Sequence, residues 1–562
     1  MYHKDILINI SDYQPTKSIL SLSYTCKNFH ETLLLSSHVM TNHEFTLRHE
    51  IKSLEFFNNM KHKILNLNLN RNKYIGDYNF KYLKGIVKLN MSDSNKFITD
   101  KGLIHLKGIH TLNISKCKQI TDKGFENLKG IHTLNMTQCD QKTITDKAFE
   151  NLKGIHTLIM SGCNENTITD EAFQHLRGIH TLDIGSNYNK KLTEKISEYL
   201  QGIHTLNISY WSSYNTITDK FFENLKGIHT LNISNIFTGK TKHKITDKVF
   251  DHLRGINTLI MEGCDIFITD RSFKCLNSLE YLDISNCNTK MITDKAFNNL
   301  TSLKTLIMKR CNQLCISDNA FKALKNIHTL DISFCDQDTI TDKAFEHLQG
   351  VHTLNMSNCN QDTITDHAFV NLIGIQNLDI SNCNQDTITD KAFQYLKGIH
   401  TLNMGICNQK TITDNAFENL KGIYSLIMRG CNQNTITDRA FVNLIGIHNL
   451  DISYCNQDTI TDNAFRHLQG IHTLNMTQCD QKTITDKAFE NLKGIHTLNM
   501  SHCKQETITD RAFEFLQGIH TFVMNDGFLY SDKIFHDLQS CHFLDLRSGY
   551  RFYQYQNSGI HL

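Results

Sequence analysis

Fourteen of the 18 cysteines in this 562-residue chain share one recurring position: Cys117, Cys139, Cys163, Cys264, Cys287, Cys311, Cys335, Cys359, Cys383, Cys407, Cys431, Cys455, Cys479 and Cys503. Thiols can pair, ligate zinc or act as nucleophiles, and their spacing limits which. Recurrence about every 24 residues makes a file, not a cluster. Neighbours in a file sit one strand spacing apart, beyond the roughly 3.5–4.5 Å between Cβ atoms that a disulfide needs, and a straight row cannot converge tetrahedrally on zinc. These cysteines are therefore expected to be buried thiols that fill the bend after a strand as small hydrophobes.

A second file consists of 14 histidines from His110 to His542, six of them in successive units: His110, His132, His156, His180, His204 and His229. Close-stacked imidazoles repel once protonated, so stability should change as pH falls through the histidine range. The plainer reading, exposed histidines copied along with a duplicating unit, predicts no change. The sequence has no phosphate-cradling glycine motif, no H-E-x-x-H, no G-x-S-x-G and no clustered C-x-x-C, so neither an enzyme nor a cofactor or metal site is expected.

Both files are positioned by a unit close to I-T-D-K-A-F-E-N-L-K-G-I-H-T-L-N-M-S-x-C-N-Q-D-T, which recurs from near Lys61. One such unit cannot bury its own apolar side, so the units must stack. Ile155-x-x-Leu158-x-Met160-x-x-Cys163 fits the leucine-rich-repeat signature, and the period is shorter than that of ankyrin, tetratricopeptide or WD40 repeats. Leu158 and Met160 alternate as on a strand, whereas Ala172, Phe173 and Leu176 fall on one side of a short helix. Thr169 and Asp170 stand where a helix N-cap is wanted, and Gly178 suits the left-handed residue that ends the helix. Signatures run from Ile64-x-x-Leu67 to Cys541-x-x-Leu544 and number 21. At about 4.8 Å per parallel strand the strand face should extend roughly 100 Å. The expected fold is an α/β leucine-rich-repeat solenoid, right-handed, with parallel strands on the concave face and short helices on the convex face.

Composition narrows the partners. With 58 Lys plus Arg against 57 Asp plus Glu, net charge is +1, so no global basic field draws the chain to nucleic acid or membrane. Neither a signal peptide nor a run of about 18 apolar residues is present. Together with unpaired thiols this points to a reducing, cytoplasmic setting. Pro15 is the single proline, and abundant Asn, Lys and Ile suggest an A+T-rich coding genome.

Residues 1–40 depart from the repeat and read as three short amphipathic helices, followed by a linker or cap (41–60), the solenoid (61–549) and a tail (550–562). Forty residues make a poor independent core. Such a head must lean on the first repeats as a cap or dock on another protein. The run Asp5-Ile6-Leu7 with Ile10 and Tyr13, then Pro15, Leu20-Ser-Leu22 and Cys26-Lys-Asn-Phe29 resembles an F-box. Cys117-Lys-Gln-Ile120-Thr121-Asp122 and its copies resemble the cysteine-containing leucine-rich-repeat subclass, and the Asn- and Ile-rich units look most like those of large DNA viruses of amoebae, which would place the chain in host cytoplasm. The combined layout resembles that of F-box/leucine-rich-repeat substrate receptors. This resemblance implies that Ile6, Leu7, Ile10, Tyr13, Pro15, Leu20, Leu22 and Phe29 bind a Skp1-like adaptor of a cullin ligase while the repeats hold a target protein. A non-enzymatic scaffold, or a decoy that sequesters a partner, is the alternative.

Repeats that are nearly identical supply their own comparison set, since positions varying among them are not fixed by the scaffold. The outward strand position is Ile159, Ile260, Ile307 or Ile427 in four units and mostly Asn or Asp elsewhere. The next outward position becomes Glu262, Lys309 and Arg429, and the residue before the cysteine changes freely, with Arg310, Phe334, Ile406, Tyr454 and His502 among its variants. Residues 187–247 are the least regular: Trp211 and Ile236 replace the cysteine, and Tyr188, Tyr210, Tyr214 and Phe237 gather nearby. Aromatics favour binding hot spots, so Tyr210 and Trp211 join the target-binding candidates. The competing reading makes this stretch decayed repeats whose large side chains refill a distorted core, and the loop 238–244 a solvated basic bulge.

Overall fold

The computed structural model describes residues 45–46, 53–55, 65–94, 97–211, 217–236, 245–264, 268–287 and 289–525, together with 534, 537, 538, 541 and 543–545. The head with its eight adaptor-binding candidates, Tyr214, Phe237, the loop 238–244 and the tail 550–562 lie outside the described residues. The chain divides into two compact units, Met1–Ile268 and Thr269–Leu562.

Among the described residues of the first unit, ten short strands run from Phe45–Thr46 to Thr258–Ile260. All pair in parallel and in register, as Leu112 with Leu134 and Leu134 with Leu158. The second unit repeats the arrangement, with 12 strands among its described residues from Tyr281–Asp283 to Phe543–Asp545. Every one of the 21 signatures forms a strand, and among the described residues one further strand carries no signature: Phe45–Thr46, inside the segment expected to be a linker, pairs with Leu67 and Asn68. It extends the parallel ladder by one step.

The apolar positions of each unit make one continuous interior. Leu134, Met136, Ile144, Phe149 and Leu152 are all at most 1 % exposed, and their counterparts Leu402, Met404, Ile412, Phe417 and Leu420 match them in the second unit. Phe149 and Phe173 of successive repeats stack with ring centroids 6.3 Å apart. Burying each such ring stabilises by about 1.5–3 kcal/mol.

The convex elements are brief, because 24 residues must also supply a strand and two bends. Asp146–Phe149 makes one α-turn that tightens into the 3-10 turn Glu150–Leu152, and Asp170–Leu176 is 3-10 throughout. Turns this short are unstable alone, and three contacts hold them. Thr145 caps the turn by accepting the Lys147 N–H at 3.3 Å. Gly154, at φ +83, ends it. Asp122 of the preceding repeat accepts both the Thr145 N–H and its hydroxyl, each at 2.7 Å. The Thr-Asp pair thus divides its labour, threonine capping its own helix and aspartate bracing the next repeat. The brace recurs from Asp77–Thr99 to Asp219–Thr246 and from Asp270–Thr293 to Asp486–Thr509. Glu194 replaces the aspartate once and still reaches Thr218. Among the described residues no helix is long and apolar enough to cross a membrane.

Candidate interaction surface

Each strand from Asn66–Asn68 to Thr497–Asn499 leaves the sheet through a two-residue bend whose second member sits in the left-handed region, just before the cysteine where the repeat carries one. Lys116 (φ 62), Gln138 (φ 55), Phe334 (φ 58), Ile406 (φ 59) and Tyr454 (φ 61) share this conformation with Gly162, Gly263 and Gly430. Backbone hydrogen bonds secure the position, for the Phe334 N–H donates to the Ser357 carbonyl at 2.9 Å and the Tyr454 N–H to the Thr477 carbonyl at 2.8 Å. The side chain lies outside the interior, half-buried at Phe334 and exposed at Ile406 and Tyr454. That freedom from packing accounts for the variation seen in the sequence.

The left-handed file brings two sets of candidates together. In the second unit the Arg310 guanidinium lies 4.7 Å and the Lys309 ammonium 5.4 Å from the centroid of Phe334. Further along, the Arg429 guanidinium lies 4.5 Å from the centroid of Tyr454. Ile406, 49 % exposed, belongs to the same file one repeat before Gly430, and His502 is half-buried near its far end. In the first unit, Tyr210 is exposed at a left-handed position and Glu262 is half-buried.

Trp211 is a correction. Its side chain is 1 % exposed, buried at the position cysteine occupies elsewhere, and Ile236 is likewise buried. Their bulk refills the interior of altered repeats, so this indole has no face to offer a target. Tyr188 and Tyr210 do remain on the surface. The four outward isoleucines are half-buried in the strand face rather than fully exposed.

Residues 49–180, 118–242, 315–444 and 410–542 match the BspA type leucine rich repeat region, and residues 277–337 match a second leucine-rich-repeat family. These matches span well over half of the sequence. The chain belongs to the BspA-type leucine-rich-repeat family. No curated protein matches it in sequence. Among solved structures it is similar to TLR13 in its complex with ssRNA13, at 18 % identity and a TM-score of 0.55, over 86 % of this chain and 84 % of that one. It is also similar to the Toll–Spatzle complex of Drosophila, at 14 % identity and a TM-score of 0.51, over 84 % of this chain and 67 % of that one. Identities this low establish a shared leucine-rich-repeat fold.

The BspA-type repeats carry their polar files inside as well as outside. Every ladder cysteine is buried, and none forms a disulfide among the described residues. Loss of water on burial pushes the thiols of Cys117, Cys163, Cys335, Cys407, Cys455 and Cys503 up to about 12. They are fillers, as expected, and also donors: Cys335 Sγ lies 3.1 Å from the Met308 carbonyl of the preceding repeat. Glutamines two residues further on are buried too, and Gln337 Nε2 donates to the Cys311 carbonyl at 3.0 Å. Neither donor role nor the aspartate brace was read from the sequence. The signal for the left-handed file was present in Gly162, Gly263 and Gly430.

The histidines stand in file. In the first unit His110 through His229 stack with centroids 4.4–4.5 Å apart. Each Nδ1 lies close to the next threonine hydroxyl, 3.1 Å for His132 and Thr133. Displacement of water, then the charge of the neighbouring rings, holds His132 and His180 below the ordinary imidazole value. In the second unit Tyr424 substitutes within the stack, 4.7 Å from His400 and 4.5 Å from His448.

Proposed function

We propose that this chain is the substrate-recognition subunit of an SCF (Skp1–cullin–F-box) ubiquitin ligase, its head binding a Skp1-like adaptor and its repeats holding a target protein. Leucine-rich repeats imply protein–protein interaction, and the two cation–aromatic sets supply the kind of rigid anchor that interface hot spots use. The observation that carries the ligase reading is the F-box-like run from Asp5 to Phe29 placed ahead of the repeats. Such a receptor needs no chemistry of its own. Holding a target lysine beside a charged ubiquitin carrier turns a bimolecular encounter into an effectively intramolecular one.

Of the two structural neighbours, one is in complex with RNA and the other with Spatzle. Asp283, Asp331, Asp379 and Asp451 recur on the strand face of the second unit. Interleaved with Lys309, Arg310 and Arg429, they make a face of mixed charge in place of the continuous basic stripe that tracks a phosphate backbone, which favours a protein target.

The test is co-purification of the full chain with a Skp1-like adaptor and cullin, repeated with Leu7→Asp and Leu22→Asp. The proposal expects both partners with the parent chain and neither with the variants. Equal adaptor retention by parent and variants contradicts the F-box reading, and adaptor without cullin favours a decoy.

A further inference from the structure

The second unit carries the same surface device twice. In one copy, Ile307 pairs in register with Asp331 of the next strand, and Arg310 and Lys309 cover the Phe334 ring. In the other, Ile427 pairs in register with Asp451, and Arg429 covers the Tyr454 ring. Each residue of the second copy lies 120 positions after its counterpart: 307 and 427, 309 and 429, 331 and 451, 334 and 454. Five in-register parallel strand steps connect Thr305 to Ser425.

The aspartates are engaged in the same way in both copies. Asp331 accepts the Ser333 N–H at 2.8 Å and the Asn355 amide at 3.1 Å, and Asp451 accepts the Ser453 N–H at 2.8 Å and the Asn475 amide at 2.9 Å. Those carboxylates are occupied in bracing the strand face. The cations instead lie on aromatic rings. None of Lys309, Arg310 or Arg429 forms an ion pair among the described residues.

Duplication of five repeats explains how two copies arose, but the left-handed positions between and beyond them have changed. Asn358 is matched by Gln478 and Asn382 by His502, while Phe334 is matched by Tyr454 and Lys309 by Arg429. The ring and one cation are kept at both devices, while Arg310 is matched by Gly430.

We propose that these two devices form a bivalent site for one linear acidic peptide segment of the target, in which a short motif of carboxylates beside an aliphatic residue occurs twice. Carboxylates meet the ring-mounted cations, and the aliphatic residue covers Ile307 or Ile427. Five strand steps of about 4.8 Å separate the devices by about 24 Å, which an extended peptide spans in about seven residues. The two devices face the same way along parallel strands. A two-fold dimer presents its epitopes in opposed directions, so a motif repeated in tandem along one chain is the matching partner. Linking the two motifs makes the second binding event intramolecular. This inference rests on the repeats being the target-binding part of the proposed receptor and is independent of the adaptor, so adaptor co-purification tests the one and peptide binding the other.

The probe is a displayed library of random 16-residue peptides selected on the full chain, with the selected sequences then synthesised as single-motif and double-motif peptides for calorimetry. The inference expects selected sequences rich in Asp and Glu, two single-motif peptides bound per chain, and one double-motif peptide bound at least ~10-fold more tightly. The gain should peak when the motifs start about seven residues apart. Arg429→Ala with Tyr454→Gly, or Arg310→Ala with Phe334→Gly, should leave one site and no gain, and Lys322→Ala on the convex side should change nothing. Failure to select any peptide, selection without acidic enrichment, a single site in the parent chain, or binding indifferent to both double variants would each overturn it.

Discussion

The Asp–Thr brace and the left-handed file run through the same repeats and differ in how many of their atoms are committed. In the brace, both oxygens of Asp390 accept hydrogen bonds from Thr413, at 2.6 Å each, so the side chain itself joins two repeats. In the file, Ile406 is held through its backbone N–H, 2.7 Å from the Arg429 carbonyl, and its side chain projects free of the interior. A repeat protein can vary its surface without endangering its fold where backbone does the holding. Positions where side chains link neighbours are closed to such change.

The largest expected effect falls on the interior that both regions depend on. Phe393 is fully buried, and Phe393→Ala should cost about 3–5 kcal/mol in urea unfolding. A loss under 1 kcal/mol would mean that the stack collapses around the gap and is not close-packed. Next is the brace: Asp390→Ala leaves two part-buried donors on Thr413 without their acceptor and should cost about 2–3 kcal/mol. An equal loss from Ile406→Ala, whose side chain is exposed in the left-handed file, would erase the distinction between braced and free positions.

Much of this was legible in the sequence because the repeat reports each position many times. Leu158 and Met160 gave the strand, Phe173 and Leu176 the helix side, Thr169 its cap and Gly178 its end, and all stand where the spacing places them. Links between repeats were harder to read. Asp122 reaches Thr145 across 23 residues, a contact that no local propensity encodes. Phe45–Thr46 was missed because two residues at the end of a sheet need no signature of their own. Trp211 misled because an aromatic in an irregular repeat suits a hot spot as well as a refilled core, and only burial separates the two. The left-handed backbone before each cysteine could have been read from the glycines that alternate there with phenylalanine and tyrosine.

The imidazole file offers a smaller effect with a definite sign. His132 and His180 are held below the ordinary value chiefly by lost hydration, so the unfolded chain binds protons more readily than the folded one. Stability is therefore full above about pH 6.5 and declines as pH falls through that value toward the lower folded one. The urea midpoint should drop between pH 7.5 and 5.5, and His132→Gln with His180→Gln should reduce the drop. A midpoint flat over that range in the parent chain would show the stacked rings to be energetically silent.

The most direct measurement of whether the left-handed file is free for recognition is urea unfolding of the Phe334→Gly, Tyr454→Gly double variant. Both residues pay a left-handed penalty of about 1–2 kcal/mol that glycine avoids, offset in part by glycine's looser unfolded chain. Unfolding at the parent's urea concentration or slightly above it, alongside lost capture of acidic peptides, is the predicted result. A fall in stability of 2 kcal/mol or more would contradict it, because it would make these aromatics part of the scaffold.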